Sequence, residues 1–242
     1  MYLRKKSQKG QSQSKTGQLR SVHTFSFYSY FDEDHSGYGA LHAVNLDVYS
    51  GGAVNTVQKL SGRSMLIFVE EGDLCLTVDQ GDEKRYEAGD AVLLSATKIG
   101  MNYRIQNGGQ HRPLKLYTFY FDVPAKTQNS VGHIAVPPHE GLKSILFPGL
   151  NKTAYLQLPQ SDVRMFLLHA NLGEEVRYPL KKGRKLWVEV IRGSVELEQS
   201  FWEEDLVQLN AGDALGLDAQ SPKLQFEALE GVELFIVDMP DD

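Results

Sequence analysis

A short β unit occurs twice in the chain, and this constrains the fold more than any other feature. In the first half an apolar run ends at Gly72, a hairpin signal follows, and Ala88-Gly89-Asp90-Ala91 leads into Val92-Leu93-Leu94. In the second half Gly193, a hairpin signal and Ala211-Gly212-Asp213-Ala214 precede Leu215 in the same order. Gly accepts positive φ and Asp bonds its own backbone, so each Gly-Asp pair predicts a tight turn between strands. Two copies of one β unit imply two similar domains, and 242 residues are enough for each to bury its own core.

The segments between the turns are strand-like. Leu66-Ile67-Phe68-Val69, Leu74-Cys75-Leu76-Thr77-Val78, Leu116-Tyr117-Thr118-Phe119-Tyr120-Phe121, Leu186-Trp187-Val188-Glu189-Val190-Ile191 and Leu234-Phe235-Ile236-Val237 are short and rich in β-branched and aromatic residues. None extends into a long amphipathic helix. Regular short strands with turn signals between them predict an all-β protein of sandwich or barrel type. The domain boundary is expected in the Pro- and Gly-containing stretch from about 123 to 149.

Charge narrows the partners. The first twenty residues carry Arg4, Lys5, Lys6, Lys9, Lys15 and Arg20 and no acid, so the net charge of −6 becomes about −12 over the remainder. An acidic body is the wrong surface for a phosphate backbone, and nucleic acid is not an expected partner. The basic head has no apolar spacing that would seat it on a membrane, and reads as a solvated, partly mobile terminus. No apolar run approaches the ~18 residues of a membrane span, and the start of the chain lacks the apolar stretch of a signal peptide. Cys75 is the single cysteine, which excludes an intramolecular disulfide and suits a reducing, cytoplasmic setting. It lies between Leu74 and Leu76 with no Lys, Arg or His adjacent to lower its pKa, so packing is the expected role.

His23-Thr24-Phe25-Ser26-Phe27, Tyr30-Phe31-Asp32, His35, Gly37-Tyr38-Gly39-Ala40-Leu41 and Val44-Asn45 before Asp47 closely resemble the opening of the pirin family. Tyr178-Pro179, Gly183-Arg184, Trp187-Val188 and Val237-Asp238-Met239-Pro240 resemble its second half. The resemblance implies a bicupin, two tandem jelly-roll-like cupin β-barrels. The corresponding layout is a basic segment over 1–20, an N-terminal cupin over 21–130 and a C-terminal cupin over 145–242.

It further implies one metal in the first barrel, usually iron, held by a His-x-His pair and by a later His and Glu two residues apart. Some members oxidise the flavonol quercetin. Counting six residues on from Gly52 gives Gln58 and then Leu60; counting back from Asn107 gives Tyr103 and Ile105. Aliphatic side chains carry no donor atom, and an amide or a phenol substitutes weakly for imidazole or carboxylate. A one-residue slip in the second count brings up Asn102 or Arg104, which repair nothing. His23, His35, His42, His111, His133, His139 and His169 are scattered, without a close pair. His23 and His35 are expected to be structural or surface residues. Tyr178 and Leu180 occupy the equivalent first pair in the second domain, so no metal or cofactor is expected in either.

Gln58, Leu60, Tyr103 and Ile105 thus form a candidate pocket of apolar walls with two hydrogen-bonding groups, suited to a small organic ligand. The same four would fit a closed core. The reading is a non-enzymatic protein that binds a small ligand or a protein partner, with a regulatory role. The alternative is a quercetin 2,3-dioxygenase-like enzyme using other ligands, or a metal-free cupin enzyme in which Tyr103 is the one ionisable group among the four positions.

Overall fold

The computed structural model describes residues 2–124, 127–146, 155–159, 161–197, 207–218 and 223–241. Its strands in the first half are β1 (Tyr2–Arg4), β2 (Gly10–Gln13), β3 (Leu19–His23), β4 (Leu41–Tyr49), β5 (Gln58–Leu60), β6 (Arg63–Glu71), β7 (Asp73–Val78), β8 (Lys84–Glu87), β9 (Asp90–Ser95), β10 (Met101–Asn107) and β11 (Leu114–Asp122). There follow β12 (Ser130–Ala135), β13 (Gly141–Leu146), β14 (Arg164–Ala170), β15 (Glu175–Pro179), β16 (Arg184–Arg192), β17 (Ser194–Leu197), β18 (Val207–Asn210), β19 (Ala214–Leu217), β20 (Lys223–Ala228) and β21 (Val232–Pro240). A single 3-10 turn, Lys6–Gln8, is the helical element among the described residues.

The chain divides into two compact units, each assembled from separated stretches. One comprises the described residues within Lys9–Pro137 and Leu150–Ser161; the other, those within Met1–Gln8, Pro138–Gly149 and Asp162–Asp242. The first unit pairs a seven-stranded sheet, β12-β9-β6-β11-β4-β3-β2, with a four-stranded sheet, β5-β10-β7-β8. Both sheets feed one core: Ala43, Met65, Ile67, Val69, Val92 and Leu116 from the larger, and Leu60, Leu74, Leu76, Met101 and Ile105 from the smaller. Alternate residues along each strand supply that face. Leu66 and Phe68, on the opposite face of β6, are buried as well, which explains why this strand reads as an unbroken apolar run.

The second unit repeats the plan, with a six-stranded sheet, β1-β19-β16-β21-β14-β13, and a four-stranded sheet, β15-β20-β17-β18, around a core that includes Val188, Leu215, Phe226 and Ile236. The bicupin fold is therefore present, with one qualification: among the described residues the two sheets of each unit do not join into a closed, continuously hydrogen-bonded barrel. Each is a pair of open sheets closed by side-chain packing.

The repeat survives at atomic detail. Gly89 and Gly212 have φ of +92° and +91°, the left-handed region that glycine enters without a Cβ penalty. One residue on, Asp90 accepts the amide of Glu87 at 2.8 Å and Asp213 accepts the amide of Asn210 at 3.1 Å, each bonding three residues back along its own turn.

The basic head departs from expectation. It is strand rather than solvated tail: β1 pairs with β19 (Leu3↔Leu215), and β2 pairs with β3 (Gln11↔Val22). Arg4 and Lys9 are buried, and the Tyr2 ring packs 5.7 Å from that of Trp187. The few apolar residues of this charged segment show no periodicity, so pairing decides its conformation and composition does not. The stretch from about 123 to 149 contains β12 and β13, which belong to different units, with the change of unit between Pro137 and Pro138.

Candidate functional site

On β4 the inward register reads Ala43, Asn45, Asp47, Tyr49, so two polar side chains enter a face that is otherwise apolar. The neighbouring strands meet them in kind. Cross-strand pairing puts Ser21 opposite Asp47, and His23 and Thr118 on either side of Asn45. Ser21 Oγ donates to Asp47 Oδ1 at 2.5 Å and Thr118 Oγ1 to Oδ2 at 3.2 Å. His23 Nδ1 lies 2.8 Å from Asn45 Oδ1, and its Nε2 lies 2.7 Å from Ser12 Oγ. The Nδ1–H donates to the Asn45 carbonyl oxygen, which leaves Nε2 to pair with the Ser12 hydroxyl, so both ring nitrogens have partners.

This polar floor and the smaller sheet enclose a cavity of about 220 Å³. Gln58 of β5 and Tyr103 and Ile105 of β10 line it, together with Asp47, Tyr49, Tyr120 and Phe27. Tyr103 pairs directly with Gln58 across β10 and β5, which brings two of the four sequence-predicted positions together. Leu60, paired with Met101, is 4% exposed, part of the core, and touches an adjoining cavity of about 390 Å³ shared with Tyr103, His42 and Arg63. Three of the four candidates therefore face one cavity and the fourth does not. The Gln58 amide turns back on the segment that leads into β5, donating to Thr56 Oγ1 at 3.0 Å.

Asn107, one of the two residues that framed the count, holds the backbone around it. Its amide donates to the carbonyls of Ser50 at 3.0 Å and Arg112 at 2.8 Å, and its Oδ1 accepts the Gly109 amide at 2.9 Å. Gly52, the other, bonds Gly109 through its own amide at 2.8 Å. The frame is a turn clamp.

The electrostatics of the cavity follow from its enclosure. Burial raises the Asp47 carboxyl above the usual carboxylate range, offset in part by the Ser21 hydroxyl, the nearby His23 and the Thr118 hydroxyl. Asp47 keeps some accessible surface although protein surrounds it, as expected of a group on a cavity wall. Burial pushes the phenols of Tyr49, Tyr103 and Tyr120 up, and the field of Asp47 pushes each further. A hydrogen bond between Tyr103 and Tyr120 lowers the first and raises the second. Besides the Tyr28 ring, the cavity thus presents one carboxyl and three phenols that burial keeps neutral.

His23, expected to be structural or superficial, is buried on the cavity wall. His35 bonds Asp32 at 3.0 Å, His133 bonds Asp90 at 3.0 Å, and the rings of His139 and His169 pack 4.7 Å apart. Cys75 is 8% exposed, and burial followed by the proximity of Glu83 raises its thiol. In the second unit Tyr178 and Leu180 belong to the core, and the Tyr178 hydroxyl donates to Asp238 at 2.7 Å. Asp238 also takes the Arg184 guanidinium, which reaches Asp162 at 2.6 Å.

The iron that the fold suggests does not fit these residues. Among the described residues no group of three or more His, Cys, Asp or Glu is arranged to hold a metal ion. In the cavity only His23 and Asp47 carry strong donors, and both ring nitrogens of His23 are already engaged.

Comparison with known proteins agrees with the fold. Residues 152–239 match the quercetinase C-terminal cupin domain. The chain is 24% identical to quercetin 2,3-dioxygenase of Escherichia coli K12, over 94% of this chain and 98% of that one. It is 23% identical to the pirin-like protein YhaK of the same organism, over 90% of this chain and 76% of that one. The crystal structure of the bacterial pirin YhhW from Escherichia coli in complex with nickel(II) superposes with a TM-score of 0.88 at 22% identity, covering all of this chain and 99% of the other. Two units of paired sheets, each carrying the same Gly-Asp turn, make this chain a bicupin. Within that class it is similar to the pirin-like proteins just described, with a quercetinase C-terminal cupin domain matched over residues 152–239.

Proposed function

We propose that the N-terminal unit binds a small organic molecule without the help of a metal, and that the protein acts as a binding or regulatory module. The carrying observation is the cavity of about 220 Å³ lined by Gln58, Tyr103 and Ile105; the count from Gly52 and Asn107 supports reading these as positions the family gives to metal ligands. A wall of ring and aliphatic surface with a few convergent hydrogen-bonding groups is the composition of a small-ligand site. The volume lies below the ~300–1,000 Å³ of sites for drug-sized molecules, which favours a compact ligand over a three-ring flavonol. The single thiol and acidic body suit the cytoplasm.

The competing reading is quercetin oxidation, carried by the name of a relative at 24% identity. That chemistry needs a bound metal to activate substrate and oxygen. The test is elemental analysis of protein purified without chelator or affinity metal, followed by quercetin turnover under air with added ferrous iron. The proposal expects well under one equivalent of iron, zinc, manganese, nickel or copper and no consumption above a protein-free control. Stoichiometric metal with turnover that chelators abolish would establish the dioxygenase reading instead.

A further inference from the structure

We propose that the cavity selects a small organic ammonium ion, with Asp47 as its counter-charge and the surrounding aromatic rings as its cage. This deepens the reading above and rests on it.

Three observations converge. First, among the described residues lining the cavity there is no lysine or arginine, while Asp47 stands on its floor. The carboxylate accepts hydrogen bonds from two hydroxyls, Ser21 and Thr118, and neither supplies positive charge. A carboxylate largely enclosed by protein, hydrogen-bonded to neutral hydroxyls and with the His23 ring as its one basic neighbour among the described lining residues, is a costly arrangement that a bound cation would complete.

Second, the walls are aromatic. Phe27, Tyr28, Tyr49, Tyr103 and Tyr120 all line the cavity. Phe27 packs 4.7 Å from Tyr120 and 4.4 Å from Tyr28 by ring centroid, so the rings form a continuous surface. Ring faces within about 6 Å attract an ammonium group, and most strongly where water is excluded. Tyr28 is 75% exposed, with φ of +48°, and stands where a ligand would enter.

Third, size agrees. A volume of about 220 Å³ is roughly that of seven water molecules at ~30 Å³ each, enough for an ammonium head with a short tail.

A neutral polyol or phenol would use the same hydroxyls but would leave the carboxylate without compensation. An anion would be repelled. Charge, and not hydrogen-bonding capacity alone, is therefore the feature by which this site discriminates.

The test is isothermal titration of the full chain with choline and with 2-phenylethylamine, each against an uncharged counterpart, 3,3-dimethylbutan-1-ol and 2-phenylethanol. At least one cation is expected to bind about tenfold or more tightly than its neutral partner. Asp47→Asn should remove that preference. Tyr28→Asn, which tolerates the positive φ and leaves the core intact, should weaken cation binding about threefold or more and report even where Asp47→Asn fails to fold. Equal affinity for the neutral compounds would overturn the ammonium assignment and leave a metal-independent pocket standing. Failure of both cations to bind the folded wild type would overturn the assignment outright. In that case the proposed function stands or falls on the metal and quercetin measurements.

Discussion

Asp213 accepts the backbone amide of Lys6 at 2.7 Å and the ammonium of Lys5 at 3.0 Å, fastening the start of the chain to a turn more than two hundred residues away. Its counterpart Asp90 makes the same bond within its own turn but offers its other oxygen to His133 at 3.0 Å. One repeat position has thus acquired two partners.

Asp213→Ala should destabilise the unit containing residues 162–242 by about 1–3 kcal/mol, because two amides in part-buried bonds and a partly exposed ammonium lose a charged acceptor. Burial alone would raise this carboxyl, but the amides of Lys6 and Asn210 and the Lys5 ammonium outweigh it and hold the group below the usual carboxylate range. The stabilisation is therefore full above the ordinary carboxylate pKa and is lost as pH falls through the depressed value. Urea unfolding followed by tryptophan fluorescence at pH 7 and pH 3 checks both points, since both tryptophans lie in this half of the chain. Wild type and variant should differ at neutral pH and converge in acid.

Gly89→Ala and Gly212→Ala form an internal comparison. Both place a Cβ at φ near +90°, which costs about 1–3 kcal/mol. At Gly89 the new atom would also meet the Val136 carbonyl at 2.9 Å, whereas at Gly212 it meets the Lys6 side chain at 2.8 Å, which can move. Thermal melts should show the larger loss at Gly89.

Above pH 10 the cavity tyrosines should resist ionisation. Burial raises Tyr49, Tyr103 and Tyr120, so the stability they contribute is present below pH ~10 and lost as pH rises beyond it. Absorbance at about 295 nm should show a fraction of the eleven tyrosines titrating reversibly and the remainder only together with unfolding. Complete reversible titration with the fold intact would show the phenols to be solvated.

Gln58→His, Leu60→His, Tyr103→His and Ile105→Glu combined test the assignment of the four positions counted from Gly52 and Asn107. The apo variant should be weakened, since imidazoles and a carboxylate enter a partly apolar site without partners. Nickel or ferrous iron should raise its melting temperature by binding only the folded form. Leu60 faces the adjoining cavity, so a variant retaining Leu60 should show nearly the same response to metal. A folded quadruple variant indifferent to metal would mean that the positions do not converge.

The paired turns were legible in the sequence because glycine and aspartate act locally: Gly89 and Asp90 need only their own neighbours to form the turn. Tyr103 opposite Gln58 was reachable by counting from Gly52 and Asn107, which resembled a family frame. The polar floor was not reachable in that way. Ser21 and Asp47 are 26 residues apart, and Asn45 and Thr118 are 73 apart, so their contacts depend on register between strands. One signal did exist. Asn45 and Asp47 fall on the same parity as Ala43 and Tyr49, and polar residues on an inward register must find partners or line a cavity. The open sheets were hidden for a similar reason, because strand composition does not record which edges join.

The pairing of β1 with β19 has a consequence for the order of events at the ribosome. β1 is an edge strand made long before its partner β19, so it emerges with that partner still unmade. At roughly 5–20 residues per second, on the order of 10–40 seconds separate the two. The unit formed by 9–137 can begin to collapse in that interval, while Tyr2, Leu3 and Arg4 stay unpaired and available to cellular factors that recognise nascent chains.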